Sequence, residues 1–249
     1  MELVGALSGR QLSIMRAANP AEANFDGGLR VHAPGILDVR RVEALVIAGW
    51  TGRDRAALEK HIRELEVLGV KRPKTTPIFY RAAASLLTTA DTIEVLGEHS
   101  SGEVECVAYC FDDGTWIGLG SDHTDRKAEA VGISLSKQLC AKPVSRNIWR
   151  WEEVAPHWDA LVLRSYIGVD GERRLYQEGT VAAMRPLPEL FRLYGGAERL
   201  PAGTAMFCGT LAVHGGITRA EKFEMELDDP VLGRKITHSY RVRTLPDEG

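Results

Sequence analysis

From Ile78 to Leu245 the apolar residues come in short runs punctuated by Gly, Pro and Asp, and most runs are continuous or alternating, without helical spacing. Such punctuation closes a core with strands and turns more readily than with long helices. Ile78–Arg81, Thr92–Leu96, Glu103–Phe111 and Thr115–Leu119 read as strands, with Asp112, Asp113 and Gly114 as a hairpin turn. His157–Tyr166, Arg174–Met184 and Ala205–Leu211 read the same way, as do Lys222–Leu227 and Ile236–Leu245 around the turn Asp228-Asp229-Pro230. Before them, Val42–Ala48 is a buried strand by its apolar run. Helices are fewer. Leu58, Ile62, Leu65 and Leu68 recur at three and four between a capping Asp54 and a terminating Gly69. Ala128, Val131, Ile133 and Leu135 predict a helix over Asp125–Leu139, and Pro188–Tyr194 predicts a short one. The expected class is α+β, dominated by β.

A chain of 249 residues is long enough for one full-sized core. Residues 1–35 are poor in periodic apolar positions and are expected to be a flexible extension, leaving residues 36–249 as a single domain. A net charge of −3 with interspersed signs offers no basic surface for nucleic acid. The first residues lack the apolar core of a secretory signal, and no run is long enough to span a bilayer. Cys106, Cys110, Cys140 and Cys208 form no CxxC pair, which suits a reducing compartment. A cytoplasmic protein without membrane or nucleic-acid partners is expected.

The segment Ser101-Gly-Glu-Val-Glu-Cys-Val-Ala-Tyr opens an otherwise apolar strand with two carboxylates. Side chains at i and i+2 share one face of a strand, so Glu103 and Glu105 point the same way. Two like charges held together call for a cation between them or a raised pKa. The same spacing also suits a solvated strand edge. Downstream, Gly120-Ser-Asp-His-Thr-Asp-Arg follows an apolar strand, and Asp122 there would complete an oxygen-rich set suited to Mg²⁺, Mn²⁺ or Ca²⁺. Ser121, Asp122 and Thr124 are equally good helix caps.

In their order along the chain these segments resemble the fumarylacetoacetate hydrolase superfamily. Its E-x-E strand is similar to Glu103-Val-Glu105, and its N-D-x-T-x-R-D signature to Ser121-Asp122-His-Thr124-Asp-Arg126. The family's lysine segment resembles Lys137-Gln-Leu-Cys-Ala-Lys-Pro143, and its Q-x-G-x-T segment resembles Gln177-Glu-Gly179-Thr180. Its glycine-rich turn is similar to Pro201 through Gly216, which includes Gly209 and Thr210, and its H-x-x-E lid motif to His61-Ile-Arg-Glu64. The resemblance covers residues 42 to 245. The chain departs from the pattern at Ser121, where the family has Asn, and at Leu211, where it has Pro.

The resemblance implies a mixed β-roll with a few short helices and, in residues 36–249, a catalytic domain. It places a divalent ion, Mg²⁺ or else Mn²⁺ or Ca²⁺, on Glu103, Glu105 and Asp122, with Arg126, Gln177, Gly209 and Thr210 around the substrate. Lys137 would be catalytic, with Lys142 able to take its part. His61 oriented by Glu64 would serve as general base. The implied activity is a hydrolase or lyase reaction on a small 2-oxo or 1,3-dioxo carboxylic acid, with carbon–carbon cleavage through a metal-stabilised enolate. The implied assembly is a homodimer. Ser121 and Leu211 also admit a non-catalytic small-molecule-binding module on the same fold.

Overall fold

The computed structural model describes residues 35–67 and 72–248. Apart from Gly35, the expected N-terminal extension lies outside them. Along the chain, β1 (Gly35–Ile36) and β2 (Ala44–Gly49) precede α1 (Arg55–Val67). Then come β3 (Ile78–Ala82), β4 (Leu87–Thr88), β5 (Thr92–Leu96), β6 (Ser100–Ser101), β7 (Val104–Phe111), β8 (Gly114–Ser121) and β9 (Thr124–Asp125). Two short helices, α2 (Arg126–Glu129) and α3 (Ile133–Leu139), lead to β10 (Lys142–Pro143), β11 (Asn147–Arg150) and α4 (Trp151–Val154). The remainder is β12 (Val162–Val169), β13 (Glu172–Thr180), α5 (Leu187–Gly195), β14 (Thr204–Thr210), β15 (Lys222–Asp229) and β16 (Arg234–Leu245).

A seven-stranded sheet runs β1-β11-β8-β7-β14-β2-β3, and a five-stranded sheet runs β13-β12-β15-β16-β5. Within these two sheets pairing is antiparallel except for β14 with β2 and β16 with β5, which are parallel. Val46, Ala48, Cys106 and Ala108 share one apolar cluster with Leu163, Ile167, Phe223, Met225 and Ile236 of the smaller sheet. The alternate residues Leu45, Ile47, Val107, Tyr109 and Phe207 form a second cluster on the other face. Strands β2, β7 and β14 are thus buried on both faces, which is why their sequences are continuous apolar runs. Strand β15 instead alternates, with Phe223, Met225 and Leu227 buried between less buried neighbours.

Several boundaries differ from the sequence expectation. The helix expected over Asp125–Leu139 is two helices broken at Gly132. Its periodic apolar residues do not form a buried stripe: Val131 is 80% exposed, and α3 buries Ser136 and Lys137 instead. The strand expected from His157 begins only at Val162, because Ala155–Ala160 turn as a 3-10 helix that packs Trp158 edge-to-face against Trp151. Likewise the strand expected to reach Met184 ends at Thr180. Val181–Ala183 then curl, and Met184 bridges to Gly52. Strand β11 lies where the sequence pattern predicts no strand; its Trp149 pairs with Ile117 of β8. Helix α1 is capped as expected, by Asp54 accepting from the Ala56 and Ala57 N–H groups.

Candidate metal centre

Glu103 lies one residue before β7, and Glu105 is its second residue. Strand β8 ends at Ser121, so Asp122 leaves the sheet directly beside them, with its N–H bonded to the Glu103 carbonyl at 3.0 Å. Carboxylate oxygens of Glu103, Glu105 and Asp122 come within 4.8 Å of one another. Glu105 and Asp122 are buried, whereas the Glu103 side chain is 18% exposed and marks the open side. The capping role that sequence allowed for Asp122 belongs to Asp125, whose carboxylate accepts from Ala128 N–H at 2.8 Å. Ser121 is taken up by Tyr240, at 2.8 Å, and by the Glu103 N–H.

Cations surround the triad. Lys137 Nζ donates to Asp122 Oδ2 and lies 3.7 Å from Glu103 Oε2. Lys142 Nζ pairs with Asp122 Oδ1 at 3.0 Å and donates to the His123 carbonyl at 2.5 Å. Arg126 reaches Glu103 Oε1 at 3.1 Å and is held by Ser101 and Glu129. The two lysines are not equivalent, since Lys142 is fully enclosed and held by the short parallel pairing of β10 with β4. Lys137 stands next to the partly open Glu103.

The charges divide unevenly. Burial, reinforced by Asp122 and Glu103, pushes the Glu105 carboxyl well above the usual range. Burial acts upward on Asp122 too, but Lys137 and Lys142 outweigh it and hold that carboxyl at about 2. Lys137 is raised in turn: burial works against its charge, and Asp122 and Glu103 more than compensate. A divalent cation near Glu105 would relieve its crowding. The donor set, three carboxylates and no sulfur or imidazole, fits a hard divalent ion.

The remaining candidates fall into two groups. Gly209 N–H donates to Glu105 Oε2 at 2.7 Å, and Thr210 Oγ1 donates to the Val104 carbonyl at 2.8 Å. Both residues hold the triad strand. Gln177 is buried beneath Thr210, donating to Thr210 Oγ1 and the Leu211 carbonyl at 2.7 Å while accepting from Val104 N–H and Ser165. Its amide hydrogens are both used inside the protein, so here it orients Thr210. His123 is bonded through its two ring nitrogens to Tyr240 and Ser100, and burial lowers its pKa to about 3. The backbone of α1 carries His61 and Glu64, but their side chains lie outside the described residues. Thr51, between β2 and α1, carries no sequence signal, yet its side chain packs against Gly209. Arg185 carries none either, and its N–H bonds the Thr51 carbonyl at 2.8 Å.

Two stacked sheets with an acidic triad at the end of paired central strands define the class, the fumarylacetoacetate hydrolase fold that the motifs implied. The chain belongs to the family described as "Protein of unknown function (DUF2848)", whose profile matches residues 48–240. Comparison with curated protein sequences finds no match. Among solved structures, Cg1458 with inhibitor is similar at a TM-score of 0.63 and 16% identity, over 82% of this chain and 78% of that one. A 2-keto-3-deoxy-D-arabinonate dehydratase complexed with magnesium and 2,5-dioxopentanoate is similar at 0.59 and 19% identity, over 83% and 74%. An HpcE-like protein from Mycobacterium smegmatis is similar at 0.61 and 18% identity, over 92% and 83%. No helix among the described residues is long and apolar enough to cross a membrane.

Proposed function

We propose that this protein is a divalent-metal-dependent enzyme acting on a small 2-oxo or 1,3-dioxo carboxylic acid, as a carbon–carbon bond hydrolase or a lyase. The observation that carries the reading is the convergence of Glu103, Glu105 and Asp122 within 4.8 Å, with Glu103 partly open and Lys137 beside it. Those three carboxylates would hold Mg²⁺ or a similar ion. When bound, the ion supplies Lewis-acid polarisation of a substrate carbonyl. The fold shared with a dehydratase complexed with magnesium and a dioxo acid is consistent with this chemistry.

The chain's own residues have separable tasks. Lys137, kept protonated by Asp122 and Glu103, offsets negative charge developing on the substrate and donates a hydrogen bond. Arg126 steadies Glu103 from the other side. Gly209 holds Glu105 in its aim. His61, on α1, would take a proton from water, with Glu64 fixing its tautomer.

Incubation with Mg²⁺ and a panel of acylpyruvates and 2-oxo acids, followed by ultraviolet absorbance, tests the proposal. Magnesium-dependent loss of one substrate's signal is expected. Tight magnesium-dependent binding without turnover across the panel would instead favour a binding module, and neither binding nor turnover would sink the metal-site reading.

A further inference from the structure

A cavity of about 440 Å³ borders α1 and is lined by Arg55, Leu58, Glu59, Ile62, Thr76 and Arg185. The Arg185 side chain is only 10% exposed, and while its Nη1 pairs with Glu189 at 2.5 Å, its Nε is buried without a hydrogen-bond partner. Arg55 makes no ion pair among the described residues. Glu59, the acidic residue on this wall, is already neutralised by Arg72 at 2.6 Å and Arg63 at 3.3 Å. Arg185 thus keeps one unbonded N–H, and Arg55 has no ion pair among the described residues, so guanidinium hydrogen-bonding capacity is left over on the wall of this space, beside the apolar Leu58 and Ile62.

We propose that this cavity is a carboxylate site, in which Arg185 and Arg55 receive the anionic end of a short aliphatic ligand. Guanidinium geometry suits a carboxylate better than a spherical anion, and Leu58 and Ile62 offer contact to methylene carbons. The cavity is coupled to the metal centre through one residue. Thr51 accepts from the Arg185 N–H on one side and packs on Gly209, which holds Glu105, on the other. The carboxylate therefore has two sources. It is the far end of a dicarboxylic substrate whose oxo acid end lies at the triad, a case that rests on the metal-site reading above, or it is a separate carboxylate anion.

Calorimetric titration of the full chain with Mg²⁺ present distinguishes them. The probes are pyruvate, glutarate, 2-oxoglutarate and 2-oxoadipate, and the proteins are wild type, Arg185→Gln and Arg55→Gln. If one ligand spans both sites, a 2-oxo dicarboxylate binds about tenfold more tightly than pyruvate. Each variant then removes that advantage and leaves pyruvate binding unchanged. If the anion is separate, glutarate binds wild type without competing with pyruvate, and both variants lose it. Either pattern supports the site. Affinities for the dicarboxylates that are equal in wild type and both variants, or absent in wild type, overturn it. Arg55 is exposed in the first turn of α1, so its variant reports even where Arg185→Gln fails to fold. Pyruvate binding that ignores both Mg²⁺ and a Glu105→Gln change would count against the metal site alone and leave the glutarate arm standing.

Discussion

Gly209 donates its backbone N–H to Glu105 Oε2 at 2.7 Å from a left-handed conformation, φ +103°. The triad's most buried glutamate is thus aimed by a residue that tolerates no side chain. A Cβ there would lie 1.8 Å from Thr51 Oγ1. Gly209→Ala is expected to cost at least about 2 kcal/mol of stability, from backbone strain and the clash together. It should also weaken magnesium binding, as read by denaturant titration with and without the ion. An alanine variant with native stability would show that Thr51 yields easily.

Ligands that bind only the native state raise its apparent melting temperature. Magnesium should therefore raise the Tm of the wild type, and Glu105→Ala should abolish that increase. A magnesium response that survives in the variant would place the ion elsewhere.

The two lysines should separate in kind. Lys142 is enclosed and bonded to Asp122 and the His123 carbonyl, so Lys142→Met is expected to destabilise by about 3 kcal/mol, since it breaks a buried pair. Lys137→Met should leave more stability intact and lower kcat on an accepted substrate by about a hundredfold. Thermal melts and steady-state kinetics on both variants make the comparison, and the reverse pattern would exchange their roles.

His61→Ala should lower kcat strongly while leaving magnesium affinity near that of the wild type, as expected for a group acting in the transition state. Full activity in the variant would remove His61 from the mechanism. Metal-polarised chemistry with the charged Lys137 as hydrogen-bond donor would then remain.

Away from the site, Asp229 is buried with Oδ1 accepting from Val231 and Leu232 N–H and lying 2.9 Å from His157 Nε2. Its Oδ2 is 3.2 Å from Arg234 Nε. Burial alone would raise this carboxyl, but the Leu232 N–H, His157 and Arg234 outweigh it and lower it from its ordinary 3.8. A depressed folded-state pKa means the stabilisation is fully present above 3.8 and is lost as pH falls through the lower folded value. Asp229→Asn should cost about 2 kcal/mol at neutral pH. Its stability should converge on that of the wild type at the acid end, and parallel pH–stability curves would contradict the assignment.

Much was legible in the sequence because its signals are local. Continuous apolar runs in β2, β7 and β14 reflect strands enclosed on both faces, and the Asp54 cap marks the start of α1. Glu103 and Glu105 share a face because strand periodicity is two. What the chain could not show locally was decided by packing. The apolar spacing of Asp125–Leu139 predicts one helix, yet the structure buries Lys137 and leaves Val131 in solvent, because Asp122 and Glu103 provide a buried place for positive charge. Asp122 reads equally as a cap or a ligand until β8 delivers it beside Glu103 and the true cap proves to be Asp125. The motif around Gln177 does not tell that both its amide hydrogens are used inside the protein, and Thr51 and Arg185 have no motif that announces their contacts. Their roles arise from chain segments more than thirty residues apart meeting at Thr210, Gly209 and α1, and only the tertiary structure sets which distant groups meet.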